Sequence, residues 1–249
     1  MNKSKIEWTE ETWNPTTGCT KVSAGCKNCY AETMSNRLRA MHAPGYENGF
    51  EFSIMPGRLV QPLKKKKPTK YFVNSMSDLF HEEMPDKFLD KIFDTIQVTP
   101  QHIYQLLTKR ENRMFKYFEK KSISKNIWLG VTVEDRKSGL PRIDKLRNLN
   151  ATIKFLSVEP LLEDLGKINL AGIDWVIVGG ESGPKARPMK EEWAINIKQQ
   201  CEEQNVAFFF KQWGTWGEDG VRRNKKSNGR LLLGKEWSEY PEYTLNVAV

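Results

Sequence analysis

The sequence is poor in cysteine and histidine, with four of one and three of the other in 249 residues, so it can build neither a disulfide framework nor a histidine-rich metal site. It has no apolar run of about 18 residues, which excludes a conventional membrane-crossing helix. Met1 to Trp8 contains no apolar leader core, so no secretory signal is expected, and a soluble protein of a reducing cytoplasm is the expectation. No Gly-x-Gly-x-x-Gly opens a helix after a strand and no phosphate-binding Gly-x4-Gly-Lys-Ser/Thr occurs, so neither nucleotide-binding architecture is indicated. The strained Gly-x-Ser-x-Gly turn of serine hydrolases is missing as well. Nor is there an acidic excess: 39 Lys and Arg against 31 Asp and Glu give a net charge of +8, which favours polyanionic partners such as nucleic acid. Two runs concentrate that charge, Lys64 to Lys67 and Arg222 to Lys226. Either run can contact phosphate or simply be solvated.

What is present is a series of short apolar runs, rich in β-branched and aromatic residues. They are Tyr71–Ser75, Ile103–Thr108, Ile127–Thr132, Ile153–Val158, Asp174–Gly179 and Val206–Lys211. Runs of this kind suit parallel strands buried on both faces. Helical periodicity lies between them, over Asp86–Ile96, Glu111–Lys121, Ser138–Leu149 and Glu191–Gln204. The alternation predicts an α/β fold, a partial (β/α)6-type barrel, with a possible seventh strand at Glu11–Trp13. A doubly wound open sheet is the rival. Residues 40–70, studded with Pro and Gly, read as an inserted loop, and 214–249, with Trp216, Trp237 and a hairpin expected at Asn228-Gly229, as a C-terminal cap on a barrel of residues 1–213.

Polar residues collect where the apolar runs stop: Asn74, Ser75, Ser77 and Asp78; Thr108, Lys109 and Arg110; Thr132, Glu134 and Asp135; Ser157 and Glu159; Gly179, Gly180, Glu181 and Ser182; and Lys211, Gln212 and Trp213. A (β/α) barrel carries all such ends on one face, where barrels of this kind place active sites.

Three of the four cysteines, Cys19, Cys26 and Cys29, fall within eleven residues. Three thiolates on one loop cannot all pair as disulfides, but they can hold a metal or an iron–sulfur cluster and leave one position open. A structural zinc would take a fourth ligand from His42, His81, His102 or Cys201, although Cys201 on its helix reads as core. A 4Fe–4S cluster on three thiolates would leave one iron without a protein ligand. Gly18 and Gly25, each preceding a cysteine, would let the loop wrap closely through positive φ.

At Asn14-Pro15, Gly18-Cys19 and Cys26-Lys27-Asn28-Cys29-Tyr30-Ala31 the sequence resembles the radical S-adenosylmethionine (SAM) enzymes, in particular the branch containing spore photoproduct lyase. Over nearly the whole chain it is similar to a phage-encoded family of unassigned function known for a three-cysteine motif. The stretches that carry this likeness are Phe72–Phe80, Leu106–Arg110, Leu129–Glu134, Leu156–Pro160, Val178–Gly183 and Phe210–Gly214. The first cysteine gap is six residues rather than the superfamily's three, and Asn28 stands where an aromatic is usual. The resemblance implies a partial radical SAM barrel, a 4Fe–4S cluster on Cys19, Cys26 and Cys29, SAM on the open iron, and an electron donor of the flavodoxin or ferredoxin kind. It implies reductive SAM cleavage and hydrogen abstraction from a substrate, with the basic charge favouring a nucleic-acid base or nucleotide. SAM-binding candidates at the strand ends are Asn74, Ser75, Ser77, Lys109, Thr132, Glu134, Ser157 and Glu159. Lys211, Gln212 and Glu181 are the candidates for catalytic roles, and Lys211, Gln212 and Trp213, at the end of the last strand, could face the substrate. A zinc-stabilised nucleic-acid-binding module without catalysis is the alternative, and a cluster protein acting only with a partner protein is a third.

Overall fold

The computed structural model describes residues 4–243. In chain order its elements are β1 (Glu11–Trp13), β2 (Thr16–Thr17), α1 (Tyr30–Ala40), β3 (Ser53–Ile54), β4 (Lys70–Val73), α2 (Asp86–Gln97), β5 (Ile103–Thr108), α3 (Glu111–Phe118), β6 (Ile127–Thr132), α4 (Leu140–Arg147), β7 (Ile153–Val158), β8 (Trp175–Gly179), α5 (Glu191–Glu203), β9 (Ala207–Gln212), α6 (Lys225–Asn228), β10 (Leu231–Leu232) and β11 (Lys235–Glu236). Among the described residues seven strands make one parallel sheet in the order β1-β4-β5-β6-β7-β8-β9. Because each strand is added on the same side of the last, every crossover falls on one face, and the sheet curls into an α/β half-barrel. The expected partial barrel is therefore present, and the possible strand at Glu11–Trp13 is its first.

Burial follows the two-residue period of a strand. Tyr71, Tyr104, Leu106, Leu129, Val131, Leu156, Val176, Phe208 and Phe210 point to the helices and join Phe88, Leu89, Ile92, Ile143 and Ile197 in the larger core. The alternate residues, Phe72, Trp128, Phe155, Trp175, Ile177 and Phe209, fill the inside of the half-barrel together with Trp8. Trp8 meets Phe72 at 4.8 Å and Trp175 at 6.2 Å between ring centroids. Each such fully buried aromatic contributes roughly 1.5–3 kcal/mol, so the lumen is a packed plug and not a pore. Gly130 is part of that fit: a Cβ there would lie 2.4 Å from the Phe155 ring.

Several boundaries differ from the sequence reading for identifiable reasons. Strand β4 ends at Val73 rather than Ser75 because Asn74 turns to φ 61, a conformation asparagine tolerates. Helix α3 stops at Phe118, short of Lys121, and α4 begins at Leu140, with Pro141 in its first turn. The hairpin lies at β10–β11, its turn being Leu233 and Gly234 at φ 53 and 74, whereas Asn228 closes the short α6. Two residues at positive φ are what a tight two-residue hairpin requires.

The C-terminal segment runs along the free edge of β9. The Phe210 amide donates to the Trp237 carbonyl at 3.0 Å and the Glu239 amide to the Phe208 carbonyl at 3.1 Å, which covers backbone groups that would otherwise be open to pairing. Tyr240 then packs on Trp175 at the lower end of the sheet. The insertion runs beside the cysteine loop through the antiparallel pair β2–β3 and the Phe52 ring, stacked on His81 at 4.5 Å. No helix among the described residues is long and apolar enough to cross a membrane.

Candidate active site over the open end of the half-barrel

The cysteine loop, residues 18–29, lies across the C-terminal ends of the strands and is tied down at three places. At its start Gly18 takes φ 76, and a Cβ there would fall 2.0 Å from the Glu51 carbonyl, so glycine is required on both counts. Arg110, just past β5, donates from Nη1 toward Cys19 Sγ at 3.4 Å and from Nη2 to Thr20 Oγ1 at 2.8 Å. Asp78 holds that guanidinium at 3.2 Å and also accepts from the Thr108 hydroxyl at 2.7 Å and the Lys109 amide at 3.0 Å. In mid-loop the Ser23 hydroxyl donates to Glu134, a fully buried carboxylate paired with Arg142 at 2.6 Å. Gly25 serves close approach to Glu134, at 3.0 Å from a built Cβ, and not a positive φ as the sequence suggested. At the far end Asn28 Nδ2 donates to Glu181 Oε2 at 3.0 Å and to the Lys185 carbonyl at 2.8 Å. Arg187 grips the same Glu181 from Nε at 2.9 Å and Nη2 at 2.6 Å. Burial pushes the Glu181 carboxyl up, but Arg187 and Asn28 outweigh it and hold the group below its ordinary value.

Beneath the loop, strand parity selects among the polar strand ends. Thr132, Ser157 and Lys211 fall on the same inner face as Trp128, Phe155 and Phe209. Thr132 and Ser157 are direct neighbours in register. Glu159 accepts from Ser157 Oγ at 3.4 Å and pairs with Lys211 Nζ at 3.1 Å. That pair spans β8 from β7 to β9, and it can do so because the strand between them ends in Gly179, whose Cβ would stand 2.5 Å from Glu159 Oε1. The Tyr30 hydroxyl donates to the Ser75 carbonyl, which brings the start of α1 to the β4 side of the opening.

The remaining candidates from the sequence divide by what their side chains already do. Asn74 is buried, donating to Thr16 Oγ1 at 2.9 Å, and Ser77 lies 2.6 Å from the same hydroxyl, so both fasten β4 to β2. Ser75 donates to Asn14 Oδ1 at 3.1 Å. Glu134 anchors the cysteine loop and is spent on Arg142 and Ser23. Lys109 has no ion-pair partner among the described residues. Gln212 donates to Ser182 Oγ at 3.1 Å and accepts from Lys225 Nζ at 3.2 Å. Sequence reasoning named Asp78 and Arg110 only as polar strand ends and did not single out Asn28 or Ser23. The ties of Arg110, Ser23 and Asn28 join segments 90 or more residues apart along the chain, and Asp78 acts through Arg110, so none leaves a local signal.

Cys19, Cys26 and Cys29 are all free and partly exposed, and Cys201 is a buried core residue on α5. Burial and the nearby Asp78 push the Cys19 thiol up to about 11, with Arg110 opposing. A bound metal would displace that proton outright. Among the described residues no three His, Cys, Asp or Glu side chains converge on a single-ion position. Zinc thiolates at about 2.3 Å from one ion would have to crowd together, whereas thiolates of a 4Fe–4S cluster each take a separate iron. Three free thiols on one loop with no committed fourth residue are a donor set that could hold a 4Fe–4S cluster. His81, one of the candidate fourth zinc ligands, accepts from the Glu83 amide at Nδ1 (3.2 Å) and sits 3.0 Å from Thr20 Oγ1 at Nε2, so both ring nitrogens are engaged. His42 is exposed and His102 contacts the Lys65 carbonyl at 2.9 Å, at the opposite end of the sheet.

The chain belongs to the family described as "Protein of unknown function (DUF5131)", which matches residues 3–241. No curated protein matches it. Among solved structures it is similar to spore photoproduct lyase complexed with dinucleoside spore photoproduct, at 11% identity and a TM-score of 0.46. It is also similar to a mutant of that lyase with bound AdoMet and dinucleoside spore photoproduct, at 12% identity and a TM-score of 0.49. Each alignment covers 81% of this chain, which spans 63% of the length of those structures.

Proposed function

We propose that this chain, a member of that family, is a radical SAM enzyme acting on a nucleic-acid base or nucleotide. The observation that supports it most is the lashing of three free cysteines over the open end of a parallel half-barrel, by Arg110, Glu134 and Asn28. Cys19, Cys26 and Cys29 would hold a 4Fe–4S cluster. When bound, the cluster and SAM supply one-electron reductive cleavage of SAM and hydrogen abstraction from the substrate, the electron coming from a reduced flavodoxin- or ferredoxin-like donor.

The chain's own residues have separable tasks in this reading. Thr132 and Ser157 offer hydroxyls on the inner rim to a ribose or an amino group. The Glu159–Lys211 pair gives the rim one acceptor and one cation at a fixed spacing over Gly179. Lys109, without an ion-pair partner of its own, suits the SAM carboxylate. Gln212 and Glu181 border the substrate side; Glu181 acts there by holding Asn28 and Arg187. The aromatic plug below excludes water from under the rim. Residues 214–229 would serve as a cap to this site, whereas the chain after them runs down the β9 edge to the lower end of the sheet. The zinc-module reading is less supported, since His81 has both nitrogens engaged.

The test is anaerobic reconstitution with iron and sulfide quantified, followed by electron paramagnetic resonance of the reduced protein with and without SAM. About four irons per chain and a signal that changes with SAM are expected. Each of Cys19→Ala, Cys26→Ala and Cys29→Ala should abolish both. Stoichiometric zinc, or a spectrum indifferent to SAM, would overturn the reading.

A further inference from the structure

The fold separates the two basic runs of the sequence. Lys64–Lys67 lies at the end of the sheet away from the cysteines: Lys65 pairs with Glu11, at the start of β1, and its carbonyl receives His102, just before β5. The second run, Arg222–Lys226, is brought to the open end. Lys225 Nζ donates to Gln212 at the tip of β9 (3.2 Å), Arg222 donates to the Pro184 carbonyl, and the Arg223 amide donates to the Thr215 carbonyl (2.9 Å). Thr215 in turn donates its amide to the Glu181 carbonyl at 3.0 Å. Lys185, next to Pro184, is the residue whose carbonyl receives Asn28 of the cysteine loop. One margin of the opening thus carries Lys185, Arg222, Lys225 and Lys226, side by side with the loop that bears the cysteines.

Two acids of that margin are already paired, Glu181 with Arg187 at 2.6 Å and Asp219 with Arg223 at 2.6 Å, while Glu218 interacts with Glu191 and not with the cations considered next. Among the described residues Lys185, Arg222, Lys225 and Lys226 have no carboxylate partner. All four residues are exposed, and Arg222 also lies 5.9 Å over the half-exposed Trp216 ring. Several cations without carboxylate partners on one margin, beside an aromatic face, suit a chain of phosphates better than a single anion.

We propose that this margin binds the backbone of a single-stranded polynucleotide, so that the substrate at the rim is a base within a polymer and not a free nucleotide. The inference rests on the nucleic-acid reading above and adds to it the polymeric state and the contacting residues. The phosphates would position the strand, and the base would be presented to the rim by its neighbours' attachment to the margin.

The experiment is fluorescence anisotropy of a short labelled oligothymidylate with the full chain, across a salt series. In Lys185→Glu/Lys226→Glu, at residues with exposed side chains, affinity should fall at least about tenfold, and the slope of log K against log salt should shrink by roughly 1.4, the share of two phosphate contacts on a single strand. The control Lys64→Glu/Lys66→Glu changes the net charge equally and should leave binding within twofold. Thymidine monophosphate at equal phosphate concentration should not compete. An equal loss in both variants, competition by the mononucleotide, or displacement by polyglutamate as effectively as by unlabelled oligothymidylate would each overturn the proposal. The assay uses neither an electron nor SAM. Binding through these lysines without a SAM response would defeat the radical reading alone, and a SAM response without binding would defeat this proposal alone.

Discussion

Glu134 is the sharpest point at which to perturb the cysteine loop without touching a cysteine. Its carboxylate is fully buried, 2.6 Å from Arg142, and receives the Ser23 hydroxyl. Arg142 also donates to the Thr132 carbonyl at 2.7 Å and lies 3.4 Å from Glu111, whose side chain retains some solvent contact. Glu134→Gln removes the principal counter-charge while keeping shape and hydrogen-bonding capacity, leaving a guanidinium buried on α4 with the Thr132 carbonyl and, as carboxylate, the longer Glu111 contact. Removing one member of a buried pair costs about 3–5 kcal/mol, and the surviving Glu111 places this case near the lower end, at about 3 kcal/mol. For a chain of this size each kcal/mol shifts Tm by roughly 2–4 °C, so a fall of about 6–12 °C is expected. Thermal unfolding of the apoprotein by circular dichroism reads it. The double variant Glu134→Gln/Arg142→Met removes the stranded charge and should recover at least half of the loss. The Cys26 thiol, 3.8 Å from the Ser23 hydroxyl, should label faster with a thiol reagent in Glu134→Gln, because the loop loses its central tie. A Tm change under about 2 °C, or a double variant less stable than the single one, would refute the assignment of this pair as the loop's anchor.

Gly130→Ala drives a Cβ to 2.4 Å from the Phe155 ring and should cost about 1–3 kcal/mol by overpacking, read as a Tm loss that Phe155→Leu partly relieves. Gly179→Ala meets only the far end of the Glu159 side chain, so Tm should hold within a few degrees while equilibrium binding of SAM to the reconstituted protein weakens as the Glu159–Lys211 pair is displaced. Glu181 has a folded-state pKa below its ordinary value, so its contribution to stability is present above about pH 4.5 and is lost as pH falls through the lowered value. Tm measured from pH 7 to pH 3 should therefore fall more steeply in the wild type than in Glu181→Gln, and equal slopes would show that Arg187 and Asn28 do not favour the charged carboxylate.

Legibility in the sequence followed locality. Strands β5, β6 and β7 were readable to the residue because near-continuous apolar runs bounded by polar residues leave little freedom in where a buried strand starts and stops. Asn74 ended β4 early because its positive φ depends on its side chain reaching Thr16, a contact across 58 residues. The polar strand ends were legible as a group, but not their division of labour. Asn74 and Ser77 fasten β2, Glu134 anchors the cysteine loop, and Thr132, Ser157, Glu159 and Lys211 line the inner rim. Strand parity would have separated part of this set, since Ser157 and Lys211 keep step with Phe155 and Phe209 along their strands.

By itself the sequence determined the α/β alternation, the parallel sheet and the uncommitted trio of cysteines, because each rests on residue type and spacing within one segment. Only the tertiary structure decided where the loop is tied, that Gly179 lets Glu159 reach Lys211 across a strand, and that Arg222–Lys226 rather than Lys64–Lys67 borders the opening. Those outcomes depend on which distant segments the closed core brings together. Two basic runs of equal charge lie at opposite ends of the sheet once it has folded, which their charge along the chain does not reveal.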